Sequence, residues 1–105
     1  MRKAISPYSM HDWTVRSVSI DWKIGAATIS LTRFGDGAPV VIAAHDVRDI
    51  HIPRKFEWGP SVSILTTQGP DSVEGGQFSL LIQMQSGDMI RIVASRFDLP
   101  VSLVP

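Results

Sequence analysis

Apolar and polar side chains alternate residue by residue through most of this chain, and a period of two belongs to strands with one buried face. Val18, Ile20 and Trp22 share one side while Ser17, Ser19 and Asp21 share the other. Ala27, Ile29 and Leu31 alternate in the same way with Thr28, Ser30 and Thr32. The pattern returns at Ile50 and Ile52, at Val62 and Ile64, at Phe78, Leu80, Ile82 and Met84, at Ile90, Ile92 and Ala94, and at Phe97, Leu99, Val101 and Leu103. No stretch holds helical spacing over three turns, and no internal repeat is present. Such strands bury their apolar faces against a second sheet or by closing on themselves. The expected fold is therefore all-β, a small antiparallel β-sandwich or barrel/roll of about seven short strands.

Parity constrains the connections. Trp13 and Val15 have the opposite parity to Val18 and Ile20, so either a β-bulge near Arg16 and Ser17 swaps the faces or the first pair forms a separate lead-in. Between the first two strands an even loop keeps both apolar sets on one side. Lys23-Ile24-Gly25-Ala26 meets that need, with glycine where positive φ is expected. The stretch 34–39 reads as a longer turn into Val40–Ala44, an apolar run suited to a strand covered on both faces. A further short strand ends at Pro53, and Gln68 to Gly76 reads as a flexible loop. The last hairpin needs an odd loop: Gln85-Ser86-Gly87 puts glycine at the left-handed position and sets Ile82 opposite Ile90. Pro100 confines the C-terminal alternation to an edge.

Residues 1–11 lack periodicity and read as an N-terminal arm, with a single β domain over 12–105. Apolar residues at 44% and charged residues at 19% exclude a disordered chain. Ten cations balance ten anions, and residues 1–52 carry six against five, so the clustered basic excess of a nucleic-acid binder is missing. Without cysteine there is no disulfide framework, thiolate metal site or thiol nucleophile, which fits the cytoplasm. Pro7, Tyr8 and His11 stand where a signal peptide would be apolar, and no run is long enough for a membrane span.

Catalytic motifs are not found. No serine lies in a Gly-x-Ser-x-Gly elbow, and Gly75-Gly76 lacks the Lys-Ser or Lys-Thr of a phosphate cradle. His11-Asp12 and His45-Asp46, with His51 beyond, combine residue types that ligate metals or exchange protons. Neighbours on a strand point to opposite faces, however, so a His-Asp dipeptide does not aim both groups at one ion. A site at His11, His45 and His51 would need the fold to gather them. His45-Asp46 reads more simply as a strand end with Asp46 bonding nearby backbone, while Asp12 reads as a capping residue and Trp13 as core. No cofactor is expected.

The segment 53–61 concentrates Arg54, Lys55, Phe56 and Trp58 between two prolines. Arg and aromatic residues dominate binding hot spots, and rings among cations also suit single-stranded nucleic acid. The alternative is that Phe56 and Trp58 plug the open end of the barrel or sandwich. With His11, these four residues form the candidate binding set, for another protein or for self-association through edge strands.

In order, His11-Asp12-Trp13, Ser19-Ile20-Asp21-Trp22, Ile52-Pro53-Arg54, Trp58-Gly59-Pro60-Ser61 and Met84-Gln85-Ser86-Gly87-Asp88 resemble small bacterial β-domain proteins. More loosely, the pattern is similar to immunity proteins of polymorphic toxin systems, which often begin with a His-Asp motif. The resemblance covers residues 11–99 through short motifs. It implies a bacterial cytoplasmic β domain that binds and neutralises another protein, and it transfers no functional residue.

Overall fold

The computed structural model describes residues 10–54 and 63–100. Six strands follow in order: β1 (Thr14–Asp21), β2 (Ala26–Thr32), β3 (Pro39–His51), β4 (Ile64–Val73), β5 (Gln77–Met84) and β6 (Met89–Asp98), with one 3-10 turn at Glu74–Gly76. All neighbouring strands are antiparallel and belong to one sheet, ordered β1-β2-β3-β6-β5-β4. Two three-stranded meanders are thus joined along β3 and β6. The sheet's two edges also meet, through a bridge between Thr14 of β1 and Ser63, the residue before β4. Ile64 N donates to Trp13 O at 2.9 Å, and Asp12 N donates to Ile64 O at 2.9 Å. Among the described residues the sheet is therefore rolled on itself and its edges touch at one place, a roll rather than two stacked sheets.

Rolling gives one interior. Ile29, Leu31, Ile42, Ile64, Leu80, Ile82 and Ile92 are fully buried, each burial contributing about 2 kcal/mol. Thirteen-residue β3 replaces two of the expected short strands, giving six rather than about seven. It pairs with β2 through Ala44 and with β6 from Ala43 to His51, bending at Asp46, whose φ is 55°. The expected strand end at His45-Asp46 is thus an interior kink. Val40–Ala44 is covered on one face only: Ile42 and Ala44 are buried, while Val41 is half exposed.

The expected face switch is present as a register shift between Val15 and Ser17, which lets Trp13, Val15 and Val18 all pack on the core. The last hairpin also follows parity. Ile82 faces Ile90, Met84 N donates to Asp88 O at 2.8 Å, and Gly87 has φ 102°. Gln68–Asp71, by contrast, is a bulge inside β4 and not part of a loop. A Cβ on Gly69 would stand 2.5 Å from the Ser79 carbonyl oxygen, so only glycine lets β4 approach β5 this closely.

Candidate functional site

Two turns rich in Asp, Trp and polar side chains are candidates, and the sheet treats them differently. At the first, Met10 to Trp13 folds back so that Trp13 N donates to Met10 O at 3.1 Å, and both Met10 and Trp13 are buried. Asp12 turns the chain with φ 66°, a conformation Asp tolerates better than most residues. Its carboxylate Oδ1 accepts from Gln85 Nε2 at 2.5 Å, and Gln85 N donates to Ser63 O at 3.0 Å. His11 Nδ1 lies 2.8 Å from Leu65 O. A carbonyl only accepts, so Nδ1 carries the hydrogen, while Nε2 stands 3.5 Å from Asp12 Oδ2. Beneath this network Asp88 is buried, its backbone and carboxylate both bonded to Ser86. The arrangement holds three distant segments together where the sheet's edges meet.

At the second turn, β1 leaves the sheet after Asp21, which pairs with Ala26. Asp21 Oδ1 accepts from Lys23 N at 3.1 Å and Ile24 N at 3.4 Å, and Gly25 N donates to Asp21 O. The loop is four residues long, as parity requires, but it runs Trp22 to Gly25 rather than Lys23 to Ala26. That shift of one position overturns the expectation of a buried Trp22, which lies in the turn and is 91% exposed. Ile24 is 68% exposed. Ile20 lies opposite buried Ala27, so it faces the interior as expected, yet it is 49% exposed because, among the described residues, no strand lies beyond β1 at that level. Val47 N donates to Gly25 O at 2.7 Å, which fixes the turn against the β3 kink.

Sequence reasoning missed Trp22. The signal was available: Asp four residues before Gly marks an Asx-capped turn whose first residue is Trp22.

Of the expected binding set, His11 belongs to the first turn and is half exposed, and Arg54 is exposed just beyond β3. Lys55, Phe56 and Trp58 lie outside the described residues. Among the described residues no group of three His, Asp or Glu side chains is placed to hold a metal ion, and His11, His45 and His51 are not brought together. His45 Nε2 instead pairs with Asp98 Oδ2 at 2.7 Å across β3 and β6. This hydrogen bond, aided by Arg96, lowers the Asp98 pKa. Asp46 does not bond backbone in a turn. Its Oδ2 accepts from Ser95 Oγ at 2.8 Å and Arg48 Nη2 at 3.2 Å, and these two contacts, Ser95 first, lower its pKa.

No helix among the described residues is long and apolar enough to cross a membrane. No known protein family, curated protein or solved structure matches this chain.

Proposed function

We propose that this chain is a non-enzymatic protein-binding module whose principal anchor is Trp22. The observation that carries the reading is the nearly complete exposure of a tryptophan on a turn locked by its own hydrogen bonds, flanked by exposed Ile24 and half-exposed Ile20. A large aromatic in contact with water is disfavoured by the same effect that builds the core, and burying it against a partner recovers that free energy. The turn's backbone is already ordered, so little entropy is lost on docking. Asp21 and Lys23 beside it have opposite signs, so apolar contact supplies the affinity and no charged partner class is singled out.

Arg54, Lys55, Phe56, Trp58 and His11 are retained as further candidate contact residues, on the strength of their composition. The resemblance to immunity proteins gives this reading its sharpest form, a module that neutralises a toxic partner.

The test compares proteins captured from lysate by the wild-type chain, by Trp22→Ala with Ile24→Ala, and by Arg54→Ala, after confirming that each variant melts like the wild type. Loss of one specific partner in the Trp22 variant supports the reading. A capture profile indifferent to all three substitutions removes the site. For the immunity form, the captured protein must inhibit growth when expressed alone and cease to do so with this chain present.

A further inference from the structure

We propose that β1 also forms a contact between two copies of this chain, pairing antiparallel with β1 of a second copy about a two-fold axis at Ser19. The inference rests on the reading of the β1–β2 hairpin as a binding surface but uses the strand's edge instead of the turn's tip. Among the described residues β1 has a strand neighbour on one side only, β2, once past the Thr14 bridge. Its outer backbone groups are therefore a template for another strand. Ile20 carries the mark of a missing neighbour, facing the interior opposite Ala27 while remaining half exposed.

The sequence of β1 is complementary to itself in one register. With Ser19 opposite its own copy, Val18 of each chain faces Ile20 of the other, on the interior side of both sheets. Ser17 faces Asp21, and Arg16 of each chain reaches the level of Asp21 and Trp22 of the other. Arg16 is exposed, and Asp21 spends Oδ1 on its turn, which leaves Oδ2 to accept from a guanidinium. The same guanidinium can lie on the Trp22 ring. Opposite charges thus meet at both ends of the pairing while apolar residues meet within it. Centring the axis on Ile20 would extend the ladder into Trp22, which has left the strand. Centring it between Val18 and Ser19 would set apolar residues against polar ones. An isologous contact over so few residues buries less than about 1,200 Å², which makes a weak, concentration-dependent dimer.

The chain has no cysteine, so Ser19→Cys creates its sole thiol, placed on the axis. Directly opposed residues bring their Cβ atoms to about 5 Å, close to disulfide reach. Treatment with diamide, which takes up the two electrons and two protons released, is expected to convert Ser19→Cys to a covalent dimer of twice 11.5 kDa. Ser30→Cys, on β2 and away from the edge, should do so far more slowly. Light scattering of the unmodified chain should show mass rising with concentration, and Ser19→Lys, which opposes two like charges, should hold it at 11.5 kDa without shifting the melting temperature. A wild-type mass of one chain at every concentration, a dimer unaffected by Ser19→Lys, or equal cross-linking of the two cysteine variants would overturn the proposal. Partner capture that depends on Trp22 and survives Ser19→Lys separates its failure from that of the binding module.

Discussion

Trp13 and Trp22 each directly follow an aspartate in a turn, at opposite ends of β1, and the molecule disposes of them in opposite ways. Trp13 is 7% exposed and Trp22 is 91% exposed. The difference is not in the turns, since both are pinned by an aspartate carboxylate and backbone hydrogen bonds. It lies in what reaches them. Three segments far apart in the chain converge on the turn at Asp12-Trp13, namely Met10–His11, Ser63–Leu65 and Met84–Asp88, whereas the turn at Trp22 is braced by the hydrogen bond of Val47 N to Gly25 O. Locally similar turns become core or contact surface according to which long-range neighbours the topology delivers.

The contrast can be broken most strongly at its buried end. Met10→Ala should destabilise the fold by about 2–5 kcal/mol, because a fully buried methionine is replaced by a cavity, as read by urea unfolding. A loss below about 1 kcal/mol would mean that packing does not close this end. Gln85→Ala should cost about 1–2 kcal/mol in the same assay, since it removes the donor to the Asp12 carboxylate, which water can still reach, and one of the two donors to Ile64 O. Asp21→Ala strips the turn of two exposed hydrogen bonds and should cost about 0.5–1.5 kcal/mol. Trp22→Ala should change stability by less than about 0.5 kcal/mol, because the ring has almost nothing to lose. If it destabilised the protein as Met10→Ala does, the two ends would not differ in kind.

A third turn sharpens the comparison by depending on charge. Arg33 donates to both oxygens of Asp36, at 3.1 and 2.6 Å, and Ala38 N donates to Oδ1 at 3.0 Å. These contacts, the Arg33 hydrogen bond foremost, lower the Asp36 pKa to about 2. Because the folded value is depressed, the turn's contribution is complete above the ordinary carboxylate pKa of about 3.9 and is lost as pH falls through about 2. Carboxyl NMR should place the Asp36 midpoint near 2 in the wild type and at a higher pH in Arg33→Ala.

Alternation made the sheet, the bulge at Arg16 and both hairpin loop lengths legible, because parity is a local rule and each interior residue obeys it. It failed where the interior itself ends. Ile20 has the parity of a core residue but stands where, among the described residues, no further strand covers it, and Trp22 has that parity but stands one residue past the strand. Gly69-Pro70 carried the chemistry of a loop, yet the close approach to Ser79 makes it a bulge within a ladder. The clamp of His11, Asp12 and Gln85 could not have been read, since its contacts span up to 73 residues and depend on the roll closing. The separation of the three histidines has the same origin: His45 and His51 ride one central strand, six positions apart, while His11 sits where the sheet's two edges meet.

The length of β3 bears on how the protein comes apart. Within each meander, strands pair with their neighbours in sequence, and such hairpins close short loops quickly. The ladder joining the meanders brings Ala43 to Asp98, a distant closure that forms slowly. If β3 were two separate strands, as its sequence suggests, one half could melt while the other persisted. As one continuous strand, zipped to β2 at its start and to β6 through the rest, it transmits the loss of either half to the other. A six-stranded roll of this kind is expected to unfold in a single cooperative step, with its two halves sharing one fate because they share one strand.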